Sequence, residues 1–228
     1  MENLSIIVPV YNEKKTIEEI IRRIDKVDVG MKKEIIVVDG CSTDGTKEIL
    51  NNIKRDDLRV IHEEKRMGKG AAVRRGLSEA QGEIILIQDA DLEVNPAEYP
   101  YLLNPILAGH KQVVFGSRFL KGKGLTRFGS YIGNQLITWA VNLLFFVHLT
   151  DIATCHKVFS RNVLKKLDLK SNGFEIEAEI TTGILKNGFK IYEVPIDYVP
   201  RTHQDGKKLN WHVGFKVLSS IIKFRFTP

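Results

Sequence analysis

Several features are scarce in this chain, and each scarcity excludes a class of protein. Its 228 residues include only 2 cysteines, which form neither a CxxC pair nor a zinc-ligand spacing, so a disulfide framework and a zinc knuckle are excluded. Aromatic residues make up 8% and show no repeat interleaved with basic residues, which gives no support to stacking on nucleic acid.

Export and membrane-spanning signals are also missing. The first residues lack the basic start and the small-residue cleavage site of a signal peptide. The most apolar segment, residues 136–149, is interrupted by Asn142 and His148 and is too short for a spanning helix. We therefore expect a cytoplasmic protein that is either soluble or peripheral to a membrane.

The overall composition is that of an ordinary globular protein with a basic excess. Hydrophobic residues make up 43% and charged residues 27%, which argues against disorder. Lys and Arg number 34 against 28 Asp and Glu, a formal charge of +6. This balance favours partners rich in phosphate, namely nucleotides, nucleic acid or an anionic membrane, without choosing among them.

The first half alternates strand and helix patterns. Apolar, β-branched runs predict strands at 4–10, 34–39, 58–62, 83–88 and 112–116, and helical periodicity predicts helices at 14–27, 43–54 and 70–80. This alternation predicts an α/β fold with a doubly wound, mostly parallel sheet. Ligands bind such sheets beyond the carboxyl ends of the strands.

The second half is less regular. A loop rich in glycine and basic residues spans 118–129, and helices are predicted at 132–149 and 175–185 before a strand-like segment at 190–199. The C-terminal segment 213–226 is amphipathic and basic. This C-terminal segment and the predicted apolar helix at 132–149 either pack into the core or lie in a membrane interface.

Two carboxylates, Asp89 and Asp91, follow the fourth predicted strand at the expected ligand edge. When the chain turns, such a pair converges on one divalent cation, and oxygen ligands suit Mg²⁺ or Mn²⁺. The alternative is a solvated turn that caps a helix. The position of the pair favours the metal site.

Three other segments lie where a ligand is expected. Asp39 ends the second strand and can accept hydrogen bonds from a base or a ribose. Residues 9–13 leave the first strand, and alone they are typical of an ordinary loop that enters a helix. The basic, glycine-spaced run Lys65–Gly70 opens a helix, whose N-terminus can hold phosphate, but it is not a Walker A sequence.

Taken together in this order, the four segments resemble the inverting glycosyltransferases of family two, which have the GT-A fold. The residues that carry the resemblance are Pro9–Glu13 (PVYNE), Val38–Gly40 with Ser42–Gly45 (VDG, STDG), Gly68–Gly70 (GKG) and Asp89–Asp91 (DAD). The second half resembles the dolichyl-phosphate mannose and glucose synthase branch, through Gly116–Arg118, Asp151 with Thr154 and Lys157, Phe174–Glu177, Val194–Ile196 with Tyr198 and Arg201, and Gly206–Lys208 with Trp211. Where this chain has Thr154-Cys155-His156, that branch commonly has Thr-Gly-aromatic.

The resemblance implies a role for each matching residue. The donor nucleotide would be bound by Pro9, Tyr11, Glu13, Asp39, Lys69 and Asp89. The metal, Mg²⁺ or Mn²⁺, would be held by Asp89, Asp91 and Glu93. The acceptor phosphate would be bound by Arg118, Arg127 and Lys208. The catalytic set would be Asp91, Arg118, Glu177 and Arg201, with Glu177 needed as a base only if the acceptor is a sugar hydroxyl.

The same resemblance implies a single domain over residues 1–228, with a nucleotide-sugar half at 1–117 and an acceptor half at 118–228. The expected activity is transfer of a hexose, with mannose from GDP-mannose favoured, to a polyprenyl or dolichyl phosphate at the cytosolic membrane face. Alternatives are a UDP-glucose or other UDP-sugar donor, or transfer to a saccharide hydroxyl in cell-envelope biosynthesis. No nucleic-acid partner is expected.

Two alternative functions belong to other classes of protein. A nucleotidyltransferase would carry a glycine-rich loop after the first strand, and residues 10–13 contain no glycine. A non-enzymatic basic module would leave Asp89 and Asp91 dispensable, and its binding would depend on salt alone.

Overall fold

The computed structural model describes residues 3–122, 128–201 and 211–227. Its strands are β1 (Asn3–Val10), β2 (Lys32–Asp39), β3 (Leu58–His62), β4 (Ile84–Ile87), β5 (Val113–Ser117), β6 (Lys157–Ser160) and β7 (Tyr192–Pro195). Its helices are α1 (Ile17–Lys26), α2 (Thr46–Asn51), α3 (Lys69–Glu79), α4 (Tyr99–Leu107), α5 (Phe128–Phe145), α6 (Arg161–Leu164), α7 (Ile176–Lys186) and α8 (Trp211–Phe226).

The described strands form one seven-stranded sheet in the order β3-β2-β1-β4-β6-β5-β7. Neighbouring strands are parallel except where β6 pairs with β4 and with β5. The predicted α/β fold with a mostly parallel sheet is confirmed.

Helices cover both faces of the sheet, which explains the runs of consecutive apolar residues at 35–38 of β2 and at Ile84–Ile87 of β4. Side chains alternate between faces, so Ile6 and Val8 of β1 pack with α1 and α4, whereas Ile7 packs with α3 and α7. The apolar face of α1 that the periodicity predicts is buried, through Ile17, Ile20, Ile21 and Ile24.

Strand β6 was not predicted, and its direction matters for the site. It has 4 residues, runs antiparallel, and inserts between β4 and β5. Its first residue, Lys157, pairs with Ile87 near the end of β4 and with Phe115 of β5. The start of β6 therefore lies at the same edge of the sheet as the carboxyl ends of the strands that precede Asp89 and Arg118.

A third apolar cluster joins α5, α7 and α8. Val141 of α5, Ala178 of α7 and Ile221 of α8 are buried in it. In the described part of the chain, no helix combines the length and the apolarity needed to cross a membrane. The sheet takes strands from both sides of residue 117, so the predicted division into two functional halves stays a prediction.

Candidate active site at the carboxyl edge of the sheet

A cavity of about 930 Å³ lies over the carboxyl edge of the sheet. It brings together most of the described residues that the sequence singled out. From the first half it is lined by Pro9, Tyr11, Glu13, Lys69, Asp89, Asp91 and Glu93. From the second half it is lined by Arg118, Glu177 and Arg201. The predicted Arg127 and Lys208 lie outside the described residues.

The turn after β4 carries the two aspartates. Leu92 has a φ of 64°, a left-handed conformation that a leucine seldom adopts, and the turn is closed by Glu93 N, which donates to Asp91 Oδ1 at 3.1 Å. Burial, and then repulsion from Asp89 and Glu93, raises the pKa of Asp91 to about 7. The fold therefore holds a carboxylate whose negative charge is poorly stabilised.

Such a carboxylate fits a divalent cation. Asp89 lies on the same turn, and Mg²⁺ is often held by one or two carboxylates together with substrate phosphates. Within the described residues, no group of three or more His, Cys, Asp or Glu side chains is arranged to hold a metal. Asp89 and Asp91 are the two carboxylates of this turn that could hold a cation, and a substrate or water would supply the remaining ligands.

Glu93, predicted as a third metal ligand, has protein partners. Its Oε2 accepts a hydrogen bond from the Tyr198 hydroxyl at 2.9 Å, and its Oε1 accepts one from Arg201 N at 2.8 Å. These bonds fasten the segment after β7 to the aspartate turn. A role for Glu93 as a ligand stays a prediction.

Arg201 connects two of the predicted motifs. Its guanidinium pairs with Glu13, with Nη2 at 2.7 Å from Oε2, and its Nε donates to the carbonyl oxygen of Asp91 at 2.7 Å. Burial alone would lower the pKa of Arg201, but the hydrogen bonds to Glu13 together with the negative charges of Glu13, Asp91 and Glu93 outweigh it and raise that pKa. Arg201 therefore holds the loop after β1 and the turn after β4 in one arrangement.

Asp39 lies beneath the cavity and is fully buried. Its Oδ1 accepts a hydrogen bond from Ser42 N at 3.1 Å, and its Oδ2 lies 3.0 Å from Nδ1 of His62. The imidazole in turn lies 3.0 Å from Asn51 Oδ1. From the sequence alone, we expect His62 to have a structural role. Its position at the end of β3, next to the end of β2, is the signal that would have paired it with Asp39.

The side of the cavity nearest Tyr11 carries an arginine. The guanidinium of Arg66 lies 4.2 Å from the centre of the Tyr11 ring. An aromatic face and a guanidinium plane both stack on flat rings, so this pair is suited to contact a nucleobase.

The two glycines around Lys69 have a packing role as well as the predicted phosphate role. Gly68 has a φ of 110°, and a Cβ on Gly70 would come within 2.4 Å of the Ser171 carbonyl oxygen. Because both residues lack a side chain, the backbone of 171–173 can cross the start of α3. Lys69, between them, reaches Asp89 at 2.7 Å and Glu177 at 2.9 Å.

Glu177 is held from both sides. Its other oxygen pairs with Lys157, an ammonium that is fully buried. Burial alone would raise the pKa of Glu177, but the charges of Lys157 and Lys69 outweigh it and lower that pKa. Burial likewise works against the charge of Lys69, yet Asp89 and Glu177 raise its pKa above the ordinary value.

Arg118 is fixed by a buried carboxylate. Its Nε lies 2.7 Å from Asp151 Oδ2, and its Nη2 lies 2.8 Å from Oδ1. Asn134 of α5 donates to the same carboxylate at 2.9 Å. Burial raises the pKa of Asp151, but Arg118 outweighs this and the net pKa is lowered. A guanidinium held in this way stands at the cavity wall in one orientation.

The far end of the cavity is apolar. It runs between α5 and α8, where it is lined by Ile132, Leu136, Ile137, Phe215, Val217 and Leu218. One cavity thus has a charged end at the sheet and an apolar end between two helices.

Comparison with known sequences gives a family match and several relatives. Residues 5–168 match the family described as Glycosyl transferase family 2. The chain is 31% identical over 212 residues to a dolichol-phosphate mannosyltransferase of Pyrococcus furiosus, and the match covers 90% of this chain and 58% of that protein. It is 32% identical over 208 residues to glycosyltransferase AglJ of Haloferax volcanii, covering 90% of this chain and 65% of that protein. The chain therefore spans less than two thirds of both relatives.

Solved structures share the fold. Glucosyl-3-phosphoglycerate synthase of Mycobacterium tuberculosis, in complex with Mn²⁺, uridine diphosphate and phosphoglyceric acid, superposes with a TM-score of 0.75 at 22% identity. The match covers 100% of this chain and 80% of that chain. The same enzyme in complex with Mg²⁺ and uridine diphosphate gives a TM-score of 0.74 at 21% identity.

Proposed function

Since the chain belongs to glycosyl transferase family 2 and has the GT-A fold, we propose that it transfers a hexose from a nucleotide sugar to a polyprenyl phosphate. The favoured donor is GDP-mannose and the favoured acceptor is a polyprenyl or dolichyl phosphate at the cytosolic face of a membrane. The observation that carries the proposal is the single cavity with one charged and one apolar end. A nucleotide sugar fits the first end, and a lipid chain fits the second.

The donor end of the proposal uses the residues beside the sheet edge. The Tyr11–Arg66 pair would contact the nucleoside, and Asp89 with Asp91 would hold Mg²⁺ or Mn²⁺ against the diphosphate. Asp39, predicted as a nucleoside ligand, is fully buried beneath the cavity and would act on the nucleoside side through the loop that it holds at Ser42. When bound, the cation neutralises charge that develops on the departing nucleoside diphosphate. The solved neighbours of this fold that contain Mn²⁺ or Mg²⁺ with uridine diphosphate support the proposal of such a metal.

The acceptor end uses Arg118. Its orientation is fixed by Asp151, which also bonds to Asn134 of α5, and Arg118 lines the cavity. A guanidinium of this kind suits a phosphate group. Arg127 and Lys208 remain predicted acceptor ligands, and they lie outside the described residues.

A phosphate acceptor explains why the site needs no strong base. A phosphate monoester has a second pKa of about 6, so its oxygen is already charged near neutral pH. Glu177, the predicted base for a hydroxyl acceptor, has a lowered pKa and two lysine partners, which makes it a weak base. We therefore propose a single in-line displacement with inversion, which depends on positioning of the phosphate oxygen.

The exposed side chains of the two helices beside the apolar end of the cavity support the proposal that the protein contacts a membrane surface. On α5 and just beyond it, apolar side chains are exposed at intervals of 3 or 4 residues, at Ile132, Leu136, Trp139, Leu143 and Phe146. On α8, Phe215, Ile222 and Phe226 are exposed, and Lys216, Lys223 and Arg225 lie among them. An apolar stripe with flanking cations is typical of a helix that lies in a lipid interface.

The name of the Pyrococcus relative supports mannose and a dolichol phosphate, and a donor panel tests both. We expect GDP-mannose to give a glycolipid with a short polyprenyl phosphate and Mn²⁺ or Mg²⁺, read by mass spectrometry. UDP-glucose and UDP-N-acetylglucosamine test the alternative donors, and a saccharide acceptor tests transfer to a hydroxyl. Failure to form a glycolipid with any donor would contradict the proposed acceptor.

The variant Asp91→Asn tests the proposed role of Asp91 as a metal ligand. The amide keeps the size of the side chain and removes the repelled charge, so the variant should fold at least as stably as the wild type. Metal-dependent binding of the nucleotide sugar should be lost, as measured by calorimetry with and without Mn²⁺. Unchanged affinity would refute Asp91 as a metal ligand.

A further inference from the structure

Lys157 is a fully buried lysine at the start of β6. An ammonium group is rarely buried unless each of its protons has a partner. All three have one here, because Nζ donates to Glu177, to the carbonyl oxygen of Thr154, and to that of Ile152 at 3.1 Å. Nζ also lies 5.0 Å from the centre of the Phe115 ring.

The ion pair between Lys157 and Glu177 is the first of three successive ion pairs that end at Asp89. Lys157 neutralises one oxygen of Glu177, and the other oxygen lies 2.9 Å from Lys69. Lys69 lies 2.7 Å from Asp89. The four side chains form a row of alternating charge with no net charge, which runs from beneath the cavity to its donor end.

The same lysine also touches the acceptor side. The carbonyl groups of Ile152 and Thr154 belong to the segment that follows Asp151, the partner of Arg118. This contact is possible because β6 is antiparallel, so that its first residue lies between the ends of β4 and β5. Lys157 is thus bonded both to the acceptor wall and, through two side chains, to the donor carboxylate.

We propose that Lys157 is a positioning residue that fixes Asp89 relative to Arg118 through Glu177 and Lys69. This inference rests on the proposed function, because it takes Asp89 as a donor-side ligand and Arg118 as an acceptor-side one. Without Lys157, Glu177 keeps one counter-ion and draws Lys69 towards itself. Asp89 then loses the partner that orients it.

The test measures Mn²⁺ affinity of the full chain by electron paramagnetic resonance, with GDP and separately with UDP. Lys157→Met is expected to weaken Mn²⁺ binding by roughly 10- to 100-fold, the usual effect of removing a group that orients a metal ligand. The double variant Lys157→Met/Glu177→Gln removes both buried charges, so that Lys69 keeps its ion pair with Asp89 and no longer has a second carboxylate partner in Glu177. It is expected to recover most of the affinity, a rescue that simple loss of packing does not predict.

Arg161→Met is the matched control for stability. Arg161 follows the other end of β6, where its Nε donates to the carbonyl oxygen of Gly82 at 2.8 Å, far along the strand from the cavity. The Arg161→Met variant should have a lower unfolding temperature and an unchanged Mn²⁺ affinity. If Lys157→Met fails to fold, Lys157→Gln, which removes the charge but keeps a hydrogen-bond donor, should weaken Mn²⁺ binding in its place.

The outcomes separate this inference from the proposed function. If the wild type forms a glycolipid and Lys157→Met binds Mn²⁺ as tightly or more tightly, the positioning role alone is overturned. If no glycolipid forms with any donor, but Lys157→Met weakens Mn²⁺ binding and the double variant restores it, the positioning role stands and the proposed acceptor is wrong. A wild type that binds Mn²⁺ with neither nucleotide overturns both.

Discussion

At the residue scale, the turn that carries Asp89 is held by the buried side-chain amide of Gln88. Gln88 donates from its Nε2 to the carbonyl oxygen of Asp89 at 2.9 Å, which turns its Oε1 towards two other side chains. That oxygen accepts from the Tyr99 hydroxyl at 2.9 Å and lies 2.8 Å from Nε2 of His156. The imidazole must therefore carry its proton on Nε2, which leaves Nδ1 deprotonated and without a partner among the described residues.

This buried imidazole predicts an acid-sensitive contribution to stability. Burial lowers the pKa of His156 from 6.5 to about 3, so between these values the unfolded chain binds a proton that the folded chain does not. Stability must then fall as pH falls, by up to about 2 kcal/mol at pH 5. His156→Gln should lose less free energy of unfolding between pH of about 7.5 and 5 than the wild type, measured by urea titration.

An exposed histidine on the same chain provides the control for that measurement. His110 is exposed, and His110→Gln should follow the wild-type pH dependence. The carboxylates contribute equally to all three proteins and cancel in the difference. Parallel curves for the wild type and His156→Gln would contradict the assignment of the acid sensitivity to this residue.

At the element scale, four of the five strands that the sequence predicted in its first half, β1, β2, β4 and β5, are mostly buried, and the fifth, β3, lies at an edge of the sheet. Runs of consecutive apolar residues, such as 35–38 of β2 and Ile84–Ile87 of β4, arise because helices lie on both sides of the sheet, and this pattern is visible in a single sequence. β6 has 4 residues and gains its partners from residues about 70 and 40 positions earlier, so no local pattern marks it. α4 was also missed, because Pro100 and Pro105 argue against a helix that its packing nevertheless stabilises.

The start of α3 depends on the absence of a side chain. A methyl group on Gly70 would meet three groups of the 171–173 backbone, at 2.4, 2.8 and 2.9 Å. Backbone carbonyls cannot rotate away as a flexible side chain does. The close approach also sets where Lys69 emerges, so the glycines act on the ion pairs with Asp89 and Glu177.

Gly70→Ala should therefore destabilise the protein by about 1–3 kcal/mol. Gly133→Ala in α5 is the matched control, because nothing lies within 4 Å of the added methyl group. There the exchange removes backbone entropy from the unfolded chain and should stabilise by about 0.5–1 kcal/mol. Thermal and urea unfolding of both variants checks the signs, and equal effects at the two positions would contradict the packing argument.

At the scale of the whole molecule, the sequence located the site but not the contacts within it. Asp39, Asp89 and Asp91 could be placed at one edge because parallel strands bring their carboxyl ends together. The partners of these residues could not be placed, since His62, Lys157 and Tyr198 reach the site through strand order and through distant segments. Contacts between distant segments are decided by the packed fold, and no local pattern in a single amino-acid sequence predicts them.

One side of the molecule is suited to a lipid surface. The exposed apolar residues of α5 and α8 lie on helices that pack against each other through Val141, Val217 and Ile221. The apolar end of the cavity opens between the same two helices. Lipid contact and acceptor entry would therefore occur on one side.

Removal of this apolar stripe should weaken membrane binding. Leu136→Gln/Trp139→Gln changes two side chains that are 57% and 63% exposed, so folding should be little affected. Binding to vesicles of phosphatidylcholine and phosphatidylglycerol should fall about tenfold or more, as judged from the apolar area removed. Tyr101→Gln, at an α4 side chain that is 68% exposed, is the control and should bind as the wild type does in a sedimentation assay.

The position of β6 also sets an order of events during synthesis. β5 pairs only with β6 and β7, both of which are made later, and β4 keeps an open edge until β6 arrives. A nascent chain that has not yet reached residue 160 thus carries one unpaired strand and one exposed strand edge, the features that lead to wrong pairing and aggregation. The strand that begins with Lys157 is also the one that joins β4 to β5, so a chain that ends before residue 157 would lack both the ion pair with Glu177 and the complete sheet.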